Sequence, residues 1–559
     1  MARHRPLSLV FLASVFALGC QPVTEGNPTD DDASSTDTST AETTDSAETN
    51  CVDGEQFCPC GPNGECSGSL VCIDGICELG PDDTDTTETT GGCTAEGCDC
   101  VPGPDACDPG LVCVDGTCIL DSCGNEALDQ GEECDDGNDV DGDGCDNDCS
   151  FTQILQIAAG GAHTCALIEG GRLRCWGQNS FGQLGYGHAN NIGDTETPAS
   201  AGDVTLPGPV EAIALGGFHT CGLFADGELR CWGQSNYGQL GYGDGANNLG
   251  DDESLADLAP VELGANPATV LATSENHSCA LLDNGKIRCW GQVLNGRLGL
   301  GMLLPQYGNY IGDDETPADA PQVFLGPDAK AIRAGRAHTC AITVGDQVRC
   351  WGVAASGRLG YGNQTVIGDD ESPSDAGDVA VYPDGFMGTV SALALGDGHS
   401  CALYSNGEVR CWGEANEGQL GQGKKDDWGD GANEAPGDLP AISLGESAVA
   451  ISAGNLFSCA LLSTGEVRCW GDSTKGQLGL GDTEKIGDDA GELPDTVPVV
   501  DLGGTAIMIA SGQEHSCVVL DDYRVLCWGA NTDGRLGYGN QQTIGDTESP
   551  SEAGAIELF

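Results

Sequence analysis

The groups in this 559-residue chain best suited to chemistry are carboxylates, cysteines and histidines that recur at fixed places. Five acidic stretches share one pattern: Asp194 with Glu196, Asp251-Asp252-Glu253, Asp313-Asp314-Glu315, Asp369-Asp370-Glu371, and Asp546 with Glu548, each preceded by Ile-Gly or Leu-Gly. Weaker versions stand at Gly429-Asp430 and Asp488-Asp489. Hard oxygen ligands of this kind can hold Ca²⁺ or meet a cationic partner; the competing reading is solvated loops kept polar for solubility. Six histidines recur as well: His163, His219, His277, His338, His399 and His515, with Phe457 at the corresponding place in one further copy. Imidazoles invite a catalytic or metal reading. Positions that occur once per repeat are spread apart rather than converging, however, so hydrogen bonding inside each repeat is the expected role. Seven cysteine pairs share one spacing: Cys165 and Cys175, Cys221 and Cys231, Cys279 and Cys289, Cys340 and Cys350, Cys401 and Cys411, Cys459 and Cys469, Cys517 and Cys527. No Gly-x-Ser-x-Gly, His-Glu-x-x-His or Walker loop occurs, so no local motif nominates a catalytic centre.

The elements that must position these groups are set by a repeat. Its tryptophans, Trp176, Trp232, Trp290, Trp351, Trp412, Trp470 and Trp528, are separated by 56, 58, 61, 61, 58 and 58 residues. A near-constant period of this size means a repeat architecture. Each unit reads Ile-Ala-x-Gly-x-x-His-Ser/Thr-Cys-Ala-Leu, a turn, Leu/Val-Arg-Cys-Trp-Gly, then Gly-x-Leu-Gly-x-Gly, an acidic loop and a Val-x-Leu strand. The abundance of glycine, 87 residues against 11 Phe and 10 Tyr, suits turn-rich β structure. Ala225-Asp226-Gly227 reads as a three-residue hairpin loop with glycine in the left-handed position, and Asp283-Asn284-Gly285, Ser405-Asn406-Gly407 and Ser463-Thr464-Gly465 repeat it. Asp521-Asp522-Tyr523 departs from the pattern. This register sets residue 224 opposite 228 and therefore Cys221 opposite Cys231. Facing residues at a non-hydrogen-bonded position lie about 4.5 Å apart at Cα, within reach of a disulfide. Seven staples, one per unit, are expected; the alternative is seven pairs of buried thiols.

In the first unit Gly161, His163, Leu167, Trp176, Gly177, Gly182, Leu184, Gly185 and Gly187, with counterparts in the others, make a pattern that resembles the regulator of chromosome condensation repeat family. The resemblance implies an all-β, seven-bladed β-propeller over residues 151–559. The array begins inside a unit near Leu155, and its last residues, Ala555 to Phe559, resemble the strand that precedes that point in other units. The C-terminus is therefore expected to complete the first blade and leave only short sheet edges. The family's guanine-nucleotide exchange role fits poorly with the export and acidity described next.

Residues 1–19 have the form of a lipoprotein signal peptide: Arg3 and Arg5, an apolar stretch from Leu7 to Leu18, and Ala17-Leu18-Gly19-Cys20. This resembles the lipobox of bacterial lipoproteins, which implies acylation of Cys20, and Gln21 after it implies sorting to an outer membrane. Reserving Cys20 leaves 30 of 31 cysteines, an even number suited to oxidised pairs. Residues 20–50 read as an acidic, Ser/Thr-rich tether. Residues 51–78 and 93–118 are duplicated six-cysteine modules, too poor in large apolar residues to fold without cross-links. Residues 123–149 resemble a cysteine-rich repeat of myxobacterial surface proteins. Within them Asp139, Asp141, Asp143 and Gly144 mimic the start of a calcium loop, but Ser150 stands where the bidentate Glu belongs. The net charge is −67, with no Lys or Arg between Arg5 and Arg172, which excludes nucleic acid as a partner. The expected function is an exported surface lipoprotein displaying a propeller as a protein- or glycan-binding platform, with no cofactor other than Ca²⁺ in view. Inhibition of a secreted enzyme, or action on polysaccharide at the propeller channel, are the alternatives.

Overall fold

The computed structural model describes four short strands between Leu70 and Leu120, Leu128, and the chain from Glu132 to Phe559 apart from residues 136, 139, 148, 246 and 302–307. Cys20, the signal peptide, the tether and most of the six-cysteine modules lie outside the described residues. The four strands form two antiparallel hairpins, Leu70–Ile73 with Ile76–Leu79 and Leu111–Val114 with Thr117–Leu120. Their registers set Cys72 opposite Cys77 and Cys113 opposite Cys118, the same arrangement in both duplicates. Among the described residues no helix is long and apolar enough to cross a membrane.

From Ile154 onward the chain builds seven antiparallel sheets, the blades of a propeller. In the first blade the inner strand is Ile154–Ala159, the middle strand His163–Ile168 and the outer strand Arg172–Gly177. The inner strand carries a bulge between Ile154 and Gln156 that recurs in every blade and bends it. The middle strands are buried along their whole length, as a strand covered on both faces must be. A fourth segment runs down the outer edge: Ile192 pairs with Gly177, and the Val204 N–H donates to the Leu173 carbonyl at 2.8 Å. The acidic loop lies just after that first contact, at the end of the blade where the middle strand begins.

Two local devices make the repeat close into a ring. The hairpin loops need a left-handed residue, met by Gly227 (φ 83°) and Gly285 (φ 77°); Tyr523 (φ 58°) takes that conformation without glycine in the last blade. The second glycine of Gly-x-Leu-Gly lies flat against the tryptophan of the next blade. A Cβ on Gly241 would sit 2.8 Å from Trp290 Nε1, and one on Gly537 would sit 3.0 Å from Trp176 Nε1, which brings the seventh blade onto the first. The seven repeat tryptophans, Trp176 to Trp528, are completely buried at these seams.

The C-terminus does not complete the first blade, contrary to expectation. The Ile556 N–H donates to the Val525 carbonyl of the seventh blade's own outer strand, 2.9 Å away, so the segment is that blade's edge. The residues beyond it reach across the seam: Ala199 N–H bonds the Glu557 carbonyl at 3.1 Å, Arg174 bonds the Leu558 carbonyl, and the Arg174 guanidinium lies over the Phe559 ring. Each unit is therefore a blade in sequence order, and closure is made by packing and hydrogen bonds rather than by a shared sheet.

Candidate functional site

The cysteines take the expected register. All seven intra-blade pairs are joined as disulfides, from Cys165–Cys175 to Cys517–Cys527, with Cα atoms 4.0–4.1 Å apart. Each staple crosses the middle and outer strands in the blade core, where every one of these cysteines is buried. A further bridge, Cys134–Cys145, ties the cysteine-rich repeat that precedes the propeller.

The histidines act between blades, not inside them, which corrects the expectation from the repeat. His163 Nε2 lies 3.0 Å from Thr220 Oγ1 of the next blade, and the pattern continues as His219 to Ser278, His277 to Thr339, His338 to Ser400 and His399 to Ser458, closing with His515 to Thr164. Sequence spacing hid this because the partner lies one full repeat away. The hydroxyl protons are already committed: Thr220 donates to the Gln183 carbonyl and Ser278 to the Gln239 carbonyl. The imidazoles therefore donate from Nε2 and are neutral. Burial, reinforced by neighbouring imidazoles and arginines, pushes His163 down to about 3; burial alone does so for His219, and burial with Arg358 for His399. His277, His338 and His515 are depressed in the same direction. Glycines behind the rings leave them room, except at Ser274, whose hydroxyl meets His277 Nδ1 at 2.5 Å. Phe457 breaks the chain of bonds at the seam between the sixth and seventh blades.

The acidic loops form a ring of their own. Each packs its backbone on the first glycine of the preceding blade's Gly-x-Leu-Gly: a Cβ on Gly238 would meet the Asp313 nitrogen at 2.9 Å, and one on Gly534 would meet the Asp194 Cα at 2.9 Å. The loops thus lie on one face, at its rim. Their carboxylates are not equivalent. Asp251-Asp252-Glu253, Asp313-Asp314-Glu315 and Asp369-Asp370-Glu371 each bring three carboxylates to within 4.8 Å of one another. Asp194 with Glu196 and Asp546 with Glu548 do not, because threonine replaces the central Asp: Thr195 and Thr547 each donate 2.6 Å bonds to the following Glu. In the sixth unit Asp488 and Asp489 recruit Glu492 from beyond the motif, and Lys425 Nζ, 2.9 Å from Asp488, supplies a countercharge. Partial burial and the crowding of Asp313 and Asp314 push Glu315 up to about 8, and Glu371 is raised to about 7 in the same way. In the calcium-like loop near Asp141 the carboxylates serve as turn caps, Asp141 accepting from the Asn147 N–H at 3.0 Å and Asp146 from the Gly142 N–H at 2.7 Å.

The same face opens at its centre onto the channel, a cavity of about 110 Å³ lined by the Gly-x loops that precede the middle strands. The x positions are Gly161, Gly217, Glu275, Arg336, Asp397, Asn455 and Gln513, and main-chain bonds link neighbouring loops, such as Gly217 N–H to the Ser274 carbonyl at 2.9 Å and Gln513 N–H to the Gly160 carbonyl at 3.2 Å. Arg336 is held by Glu275 at 2.6 Å and Asp397 at 2.9 Å. These two carboxylates raise its already high pKa further. Nothing in the sequence pattern flagged this triad, because the x position varies from unit to unit.

The RCC1-like domain matches residues 122–490, and the regulator of chromosome condensation (RCC1) repeat matches residues 464–519 and 509–535. The ultraviolet-B receptor UVR8 of Arabidopsis thaliana is 28% identical over 69% of this chain and 79% of its own length. The E3 ubiquitin-protein ligase HERC2 of Homo sapiens is 27% identical over 67% of this chain, which spans only 7% of HERC2. Among solved structures, yeast RCC1 (Prp20) bound to Kap60 has a TM-score of 0.50 at 20% identity, over 64% of this chain and 78% of that one. Human WBSCR16 has a TM-score of 0.50 at 18% identity, over 66% and 86%. Likeness at that identity speaks to the fold alone. With a domain match over most of its length and seven blades built on the repeat, the chain belongs to the RCC1-like domain family.

Proposed function

We propose that this protein is an exported, lipid-anchored member of the family that displays its propeller as a binding platform for an extracellular or periplasmic protein or glycan. The observation that carries the reading is the oxidised hairpin in every blade, since disulfides persist in oxidising compartments and are rare in the cytosol. Acylation of Cys20 would hold the chain at an outer membrane, and the acidic tether would lift the propeller off its surface. A protein partner is supported by the yeast RCC1 relative, whose structure is solved with Kap60 bound. In cells, Cys20→Ser should abolish incorporation of labelled fatty acid and move the protein from the membrane to the soluble fraction. Unchanged labelling and partition would remove the anchor from the account.

A second reading concerns the three crowded loops. We propose that they bind Ca²⁺, whose charge would offset the burial and the carboxylate crowding that together raise Glu315. Roughly millimolar Ca²⁺ should then raise the melting temperature, by linkage of binding to the folded state. Replacing Asp314 and Glu315 with their amides should weaken that response. A melting temperature indifferent to Ca²⁺ would leave the loops as solvated rims.

A further inference from the structure

We propose that the channel mouth is a subsite for one residue of a neutral glycan. This rests on the platform reading and commits it to a ligand class. The mouth is asymmetric in a way the seven-fold fold does not require. Blades one and two contribute Gly161 and Gly217, which put no side chain over the opening. Blades three to five contribute the Glu275–Arg336–Asp397 triad, whose geometry is fixed by its own ion pairs. Blades six and seven contribute Asn455 and Gln513, half-buried amides that make no hydrogen bond to any described residue.

Carboxylate, guanidinium and amide are planar groups that donate or accept through paired atoms, the geometry that vicinal hydroxyls match. A half-buried amide without a protein partner is ready for such a group, and a ligand that leaves it unpaired is disfavoured. Phe218 follows Gly217 directly but lies outside the channel lining, where its partly exposed ring meets Phe181 edge-on at 5.5 Å between centroids. The glycines leave the floor on which a sugar ring would rest, with its hydroxyls toward Asn455, Gln513 and the triad. The cavity beneath, about 110 Å³, has room for one exocyclic substituent or a few waters, not for a polymer, so recognition is of a single residue. The charge of the chain, −67, repels anionic polysaccharides and selects neutral ones.

The test is an array of neutral oligosaccharides probed with the purified full chain, followed by calorimetric titration of the best-retained sugar. Asn455→Ala and Gln513→Ala should each weaken binding about tenfold or more, in line with the loss of one hydrogen bond. The two amide variants should melt as the parent does. Retention of no neutral sugar, or titrations unaltered in both variants, would overturn the subsite. Fatty-acid labelling at Cys20 and membrane partition would be untouched by that failure, so the platform reading would fall or stand on its own evidence.

Discussion

Lowering the pH from about 6.5 towards 4 is expected to unfold the propeller steeply even with every disulfide intact. Each buried histidine has a folded pKa depressed below its unfolded value of about 6.5, in three cases to about 3. Between those values the unfolded chain binds a proton that the folded chain refuses. Stability from this source is thus fully present above about pH 6.5 and is lost as pH falls. One such proton changes stability by about 1.4 kcal/mol per pH unit, so six acting together approach roughly 8 kcal/mol per unit, comparable with the whole stability of a typical domain. Glu315 and Glu371 work in the opposite sense: their raised folded values add stability as pH falls from about 8 towards 4.5. They are half-buried and only two against six histidines, so they leave a minor correction. Calorimetric melting against pH should show a broad optimum above 6 and a sharp decline below it. The sixth blade supplies a variant already tolerated by the fold, since Phe457 occupies the histidine position. His219→Phe should fold and flatten the acid slope by about one proton; an unchanged slope would mean that the imidazoles do not carry the effect.

Reduction should have the other large effect. Each staple closes a hairpin of ten-residue separation, for which loop-closure entropy gives about 3 kcal/mol. The seven blades are separate enough for their contributions to add approximately, which puts the cumulative effect at up to roughly 20 kcal/mol as an upper bound. The hairpin register already brings the cysteines together, so each measured value should fall at or below the single-loop figure. Replacing Cys279 and Cys289 together by alanine should lower stability by about 2–3 kcal/mol. Full reduction should leave no cooperative transition at ambient temperature, read by denaturant titration with and without dithiothreitol. A reduced protein that melts within a few degrees of the oxidised one would show that the blades are held by packing alone.

What was legible in the sequence was whatever acts within one unit. The Cys221–Cys231 register followed from the Ala225-Asp226-Gly227 loop, because hairpin pairing is local. The seven units followed from the tryptophan period, and the resemblance to the regulator of chromosome condensation repeat implied that they are blades. What acts between units was hidden. The bond from His163 to Thr220 spans a repeat, so spacing inside a unit pointed to an intra-blade role. The tail at Ile556 matched a strand shared by every unit, but which blade it edges is a matter of the seam, not of the motif. Glu492 joined Asp488 and Asp489 from outside the Gly-Asp pattern. The triad at the channel mouth comes from three units whose x residues have nothing in common until the ring closes.

The central claim is that this propeller is an oxidised ring shaped for display outside the cytoplasm. Its most direct test is the mass of the intact protein, isolated from its native host and treated with iodoacetamide under denaturing conditions before and after reduction. The account predicts no adduct on any of the fourteen propeller cysteines before reduction and adducts on all of them afterwards. Alkylation of any of the seven pairs without reductant would contradict it.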